Sequence, residues 1–268
     1  MFRRILCPLA LCLLLAGCST VADHASPPPS QSPAPEVSAP GNSEAPRPAP
    51  QWGEQTYMTA FAAEGREEPV FSPEYRLPKI ENAAGIPAYE AINAFYASTL
   101  DDLAASAAEL SGWAVDDYKT AQIVGYPFYN YVDTESYELT METAGRVSIL
   151  RSHYSNSGGP YPTLYPMADT FDLTTGARLT FADLFTVPEP EAQTRVLNAV
   201  LALNEAGAYS GAVLDAEALR NAYSPQHFYL TEDSLVCYFP GGDLPNAVGS
   251  PTFAVPYTDL EDILASWE

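Results

Sequence analysis

The sequence predicts an α+β fold: a mainly antiparallel sheet of hairpins packed with a few helices, behind a signal peptide and a disordered tether rich in Pro, Ser and Ala. Three observations lead there. Short runs of alternating apolar and polar residues are joined by glycine-bearing turns, the pattern of hairpins with one buried face. Helical periodicity is confined to a few segments and never repeats as strand–helix–strand units, which argues against a parallel α/β sheet. Composition changes near residue 50: residues 19–50 are almost free of large apolar residues, whereas the whole chain is 47% hydrophobic and 12% aromatic, ample for a packed core.

The opening segment, MFRRILCPLALCLLLAGCS, places Arg3 and Arg4 before an apolar run that ends in small residues. That layout is a secretory signal, since a membrane span needs about 20 apolar residues. Leu15, Ala16, Gly17 and Cys18 resemble a bacterial lipobox. The resemblance implies a lipoprotein signal peptide over 1–17, cleavage before Cys18 and a lipid on the Cys18 thiol that holds the chain extracytoplasmically at the bacterial cell membrane. The alternative is an ordinary signal peptide followed by an incidental cysteine. Residues 18–50 bury too little apolar surface to offset the entropy of ordering and read as a semi-extended tether.

The folded part starts near Trp52, with strands expected in QTYMTAFAAE and PVFSPEYRLPKI and a turn at Gly65 and Glu67-Glu68-Pro69. A helix follows over 86–110. Ile92, Phe95, Tyr96, Leu100, Leu103 and Leu110 recur at helical spacing, Asp101, Asp102 and Glu109 mark a wet side, and Gly112 is the expected stop. Strand character is expected in QIVGYPFYNYV and then in the hairpin YELTMETAGRVSILRSHY, which turns at Ala144-Gly145. In TFDLTTGARLTFADLF, Phe171 and Leu173 face Leu179 and Phe181 across a turn at 174–176. Helices are expected over 190–205 and 215–222, a third hairpin in HFYLTEDSLVCYF, a short strand in TFAVPY, and a terminal helix in TDLEDILASW capped by Thr258.

Several of these segments, in this order, resemble a family of bacterial extracytoplasmic domains in which a DUF4163 domain precedes a DUF3298 domain. YRLPKIEN before AYEAIN resembles its proline-containing strand and following helix, with Ile92-Asn93. VSILRSHYSNSGG and DTFDLTTGARLTFADLF resemble its glycine turn and Phe-Asp-Leu-x-x-Gly hairpin, and NAVGSPTFAVPYTDL its closing strand. The resemblance implies a DUF4163-like subdomain over 51–157 and a DUF3298-like subdomain over 158–268. Such domains form the N-terminal part of a peptidoglycan deacetylase and the outer part of a lysozyme-sensing anti-sigma factor. The family often has Gly-Gly-Ala-His at the turn, where this chain has Gly158-Gly159-Pro160-Tyr161, so no histidine role carries over.

Charge and motifs narrow the function. The formal net charge is -22, and loss of the signal's two arginines leaves ten basic against 34 acidic residues. A nucleic-acid backbone would be repelled, whereas a cationic protein would be attracted; solubility is the other use of such charge. Cys7 and Cys12 belong to the signal, and Cys237 is alone in the folded part, in a strand-like run that suits a buried thiol. No intramolecular disulfide is expected. His153 and His227 are isolated, with neither His-x-x-x-His nor Cys-x-x-Cys spacing, so no metal site is expected. There is no Gly-x-Ser-x-Gly elbow and no phosphate-cradling glycine motif, so neither a nucleophilic site nor a cofactor is expected. His153 reads as the end of a strand. The carboxylate pairs Asp116-Asp117, Asp133/Glu135 and Glu232-Asp233 leave a carboxylate-dependent cell-wall hydrolase as a remaining alternative, against the simpler reading of surface and turn acids.

The stretch HYSNSGGPYPTLYP carries the candidate ligand site. Gly158 and Gly159 permit a tight turn, Pro160 and Pro162 stiffen the segment beyond it, and such a turn also forms for backbone reasons alone. As a site, Tyr154, Tyr161 and Tyr165 would supply aromatic faces, and Asn156 and Ser157 hydrogen-bonding groups, suited to glycan or protein contact. The expectation is a membrane-anchored binding or sensing module without enzymatic activity. Its partner would be a cationic protein such as a lysozyme or, alternatively, peptidoglycan.

Overall fold

The computed structural model describes residues 47–266 apart from residue 211. The signal peptide, Cys18 and the tether up to residue 46 lie outside the described residues. The chain order is β1 Trp52–Met58, β2 Glu74–Ile80, α1 Pro87–Val124, β3 Val132–Glu142, β4 Arg146–Asn156, β5 Thr163–Asp172, α2 Glu189–Glu205, α3 Ala216–Ala222, β6 Phe228–Leu230, β7 Ser234–Tyr238 and β8 Thr252–Pro256. The α+β class is as expected. Strands β1 to β5 form one sheet in sequence order, antiparallel except for β2 and β3, which run parallel because α1 crosses between them. Strands β6 to β8 form a second, antiparallel sheet.

The first half of α1 covers one face of the large sheet. Ile92 and Tyr96 are fully buried against Leu77, Val147, Ile149 and Phe171, each contributing about 1.5–3 kcal/mol of apolar burial. Asn93 fastens the helix to the end of β2, accepting from the Ile80 N–H at 2.7 Å and donating to its carbonyl at 2.8 Å. The opposite face meets the small sheet, where the Leu230 N–H donates to Ser148 Oγ at 2.9 Å. Helix α2 packs on β8, burying Val196 and Val200 with Phe253 and Val255. The position between 157 and 158, expected as a subdomain boundary, is in the β4–β5 turn, so strands on both sides of it share one sheet.

Four local expectations are corrected. Helix α1 does not stop at Gly112 but runs to Val124, ending on Gly125 in the left-handed conformation. One helical glycine costs about 1 kcal/mol, and the surrounding alanines and tertiary burial outweigh it. Residues 122–124 are therefore helical and 125–130 a loop, with strand structure starting only at Val132. The turn after β5 closes through Asp172 N–H to the Ala177 carbonyl and Leu179 N–H to the Thr170 carbonyl, but no full second strand forms, and 182–184 are a 3-10 turn. The terminal helix is also absent. Tyr257–Asp259 is a 3-10 turn, and the chain beyond it bonds to 184–186 instead, with Thr186 N–H to the Ile263 carbonyl at 2.8 Å and Ala265 N–H to that of Leu184 at 2.9 Å. The folded part also begins slightly earlier than expected: Tyr89 donates to the Pro48 carbonyl and Asn82 to that of Ala49.

Candidate functional site

The pleat of β4 and β5 distributes the sequence-predicted site residues. Tyr154 lies opposite Leu164 and His153 opposite Tyr165, so Tyr154 and Tyr165 emerge on opposite faces of the sheet. Tyr165 is thus a strand residue rather than part of a loop, because β5 begins at Thr163. Tyr161 stands on the turn at 90% exposure. The structure does bring Asn156, Ser157, Gly158 and Gly159 together. Asn156 Oδ1 accepts from the Gly158 N–H at 2.8 Å, and Gly158 adopts φ +84°, a conformation strained for other residues, where a Cβ would also lie tightly, 3.1 Å from the Tyr129 carbonyl oxygen.

That packing against Tyr129 joins the turn to the loop after α1. Loop residues 125–131, GYPFYNY, use their aromatics in two ways. Phe128 meets Tyr118 edge-on at 5.4 Å, and the Arg66 guanidinium lies 5.2 Å from the Tyr118 ring and 5.0 Å from the Phe128 ring. Tyr131 is buried and donates to Asp117 Oδ2 at 2.6 Å; burial, with that contact added, pushes its hydroxyl up to about 12. Tyr126 and Tyr129 remain 71% and 64% exposed. Two adjoining depressions result. One of about 210 Å³ is lined by Asp117, Thr120, Tyr126, Phe128 and Ser157; one of about 410 Å³ by Asn130, Val132, Asn156, Gly159 and Pro160. Tyr129 and Gly158 line both.

A second arrangement lies between the large sheet and α1. Asp133, Glu135, Arg151, His153 and Asp169 occupy neighbouring strands, with Glu135 opposite His153 in the ladder. Arg151 Nη1 donates to Glu135 Oε1 at 2.8 Å and Nε to Asp169 Oδ2 at 2.9 Å; Arg178 Nε reaches Asp169 Oδ1 at 2.8 Å. His153 Nδ1 is 2.9 Å from Glu135 Oε2, and its Nε2 makes an off-axis ion pair with Asp133 Oδ1 at 3.1 Å. Tyr75 and Tyr96 donate to Asp133 and Asp169. The close contacts with both carboxylates, Asp133 and Glu135, raise His153 to about 9 despite its burial. Burial pushes Asp133 up, but the polar contacts of His153, Tyr75 and Ser155 with its carboxylate outweigh it and the net shift is downward. Three carboxylates thus face two guanidiniums and one imidazolium, a neutral set.

This ionic set is the feature that sequence reading missed. Asp133 and Glu135 are neither surface nor turn acids but at most 2% exposed, and His153 is a mid-strand partner of both. The readable signal was the spacing Asp133-x-Glu135 on one strand and Arg151-x-His153 on the next, opposite charges on one face. The set's charges compensate one another and its oxygens are taken by Arg, His and Tyr, which is a structural use; no group of three or more His, Cys, Asp or Glu suited to a metal ion occurs among the described residues. Asp116 and Asp117 lie on the exposed side of α1, and Glu232 and Asp233 in the β6–β7 turn. Cys237 is buried in β7, and burial raises its thiol to about 12.

No family model and no curated protein matches the sequence. Solved structures do. A DUF3298 family member from Bacteroides fragilis superposes with a TM-score of 0.64 at 17% identity, over 81% of this chain and 94% of that one. A DUF3298 family protein from Pseudomonas aeruginosa gives a TM-score of 0.58 at 14% identity, over 81% and 95%. At such identities the likeness speaks for architecture: the chain is structurally similar to DUF3298 family proteins across about four-fifths of its length.

Proposed function

We propose that the chain is an extracytoplasmic binding module, anchored through lipid on Cys18, that captures a cationic protein such as a lysozyme. One observation carries this reading: the basic side chains are largely consumed within the molecule while many acids are not. Arg76 pairs with Glu54 and Glu74, Lys79 with Glu81, Arg195 with Asp262, and Arg151 and Arg178 with the buried carboxylates. Asp101, Asp102 and Glu109 on α1, with Glu64 and Glu67, are exposed and have no basic partner among the described residues. A surface of one sign steers an oppositely charged partner and rejects like-charged ones. The lipobox supports the anchor. The order of segments that resembles a DUF4163-like part followed by a DUF3298-like part supports an outer, non-enzymatic role.

The test is retention of lysozyme on the immobilised full chain in detergent at about 20 mM and about 150 mM salt, where screening shortens the reach of exposed charges to about 8 Å. Retention that falls steeply between the two, and that weakens in an Asp101→Asn, Asp102→Asn, Glu109→Gln variant, is expected. Absence of retention at low salt, or retention indifferent to both salt and the variant, overturns the reading.

A further inference from the structure

We propose that the loop after α1 and the β4–β5 turn form a binding site for a neutral glycan chain. It is independent of the capture of a cationic protein, since it uses other residues and an uncharged ligand.

The loop divides its aromatics into two groups. Phe128 and Tyr131 are committed inward, and their contacts with Tyr118, Arg66 and Asp117 fix the backbone. Tyr126, Tyr129 and Tyr161 have no ring partner among the described residues. Folding therefore makes little use of these rings, which are exposed at this end together with the aliphatic Ile123, Val124 and Val132. A phenol ring offers an apolar face for the C–H side of a pyranose and a hydroxyl at its rim, a pairing that aliphatic side chains cannot supply.

The polar groups beside the rings select the ligand further. Asn130 Oδ1 accepts from Arg66 at 2.6 Å and Asn156 Oδ1 from the Gly158 N–H, which leaves each amide NH2 as a donor, and both residues line the larger depression. Asp117 uses Oδ2 for Tyr131, and its other oxygen is an acceptor beside the smaller one. A ligand satisfying both must carry acceptors and donors a few ångströms apart, as adjacent hydroxyl or acetamido groups do. It cannot be strongly anionic: Arg66 is already enclosed by two rings and Asn130, Lys119 on the same stretch of α1 pairs with Asp116, and Asp117 and the net charge of -22 oppose a further negative charge. The site is also held ready. The Gly125 N–H donates to the Ala121 carbonyl at 2.9 Å, the Tyr131 N–H to that of Val70 at 2.9 Å, and Gly158 sits against Tyr129, so little ordering cost falls on binding. The two depressions, meeting at Tyr129, offer room for consecutive sugar rings.

The experiment is calorimetric titration of the full chain in detergent with chitotetraose and, separately, cellotetraose at physiological salt. Binding of at least one with Kd of about 1 mM or tighter is expected, weakened about tenfold by Tyr129→Ala and again by Tyr126→Ala, with thermal midpoints unchanged because both rings are exposed. Preference between the two oligosaccharides reports whether acetamido groups are read. The Asp101→Asn, Asp102→Asn, Glu109→Gln variant should bind the glycan as the parent does while losing lysozyme, which separates this site from the acidic surface. No binding of either oligosaccharide at about 10 mM, or binding that both tyrosine variants leave intact, overturns the proposal.

Discussion

Removing the charge from His153 should expose the neutrality of the buried ionic set as a pH-dependent stability. In the folded chain the imidazolium lies between Asp133 and Glu135, and its pKa rises from 6.5 to about 9. At about 1.4 kcal/mol per pH unit the difference corresponds to about 3 kcal/mol, which water at the 23% of the side chain left exposed reduces to about 2 kcal/mol. The folded state holds this proton more tightly than the unfolded one. The stabilisation is therefore complete below about 6.5 and disappears as pH rises through about 9. Urea unfolding of the parent and of His153→Gln, which keeps a hydrogen-bond donor but never a charge, should show a gap of about 2 kcal/mol at about pH 6 that closes by about pH 10. A gap that stays constant across this range would refute the charged-histidine account.

Three further substitutions test the ionic set and helix α1. Arg151→Met leaves Glu135 and Asp169 buried with one cationic partner each removed and should cost about 3–5 kcal/mol in chemical denaturation; a loss below about 1 kcal/mol would mean that water or protonation relieves them. Gly176→Ala should lower the thermal midpoint, because its Cβ would lie 2.5 Å from the Ala88 carbonyl oxygen and drive the turn after β5 off α1, whereas Gly112→Ala, with open space around it, should raise it slightly.

Much of the architecture was legible because local and tertiary preferences agree. The β3–β4 hairpin follows from the alternation of Tyr137 and Leu139, and of Val147 and Ile149, around the Ala144-Gly145 turn, although a β-bulge between Leu139 and Met141 turns Met141 to the opposite face; α2 follows from its spaced Val196 and Val200. Where they disagree, the sequence misleads. Gly112 looks like a stop, but helix propensity and the burial of Ala107, Ala114 and Ala121 carry α1 past it. Leu260, Ile263 and Leu264 repeat like a helix, yet the backbone there finds better partners in 184–186. The glycine turn is recognisable as a turn, but its companions Tyr126 and Tyr129 sit in a run with strand-like composition, which hides their place in the site. The partners Tyr75, Tyr96 and Arg178 of the ionic set come from elements distant in sequence, and only folding reveals them.

The 38-residue length of α1 also fixes a direction. At 1.5 Å per residue such a helix is about 57 Å long. Near its start, Tyr89 grips the Pro48 carbonyl where the chain enters the folded part, beside the β3–β4 turn; at its far end stand Tyr126 and Tyr129. The first described residues and the exposed tyrosines therefore stand at opposite ends of one helix. The helix acts as a spacer, so that a contact made by the tyrosines is made far from the point where residue 48 joins the fold.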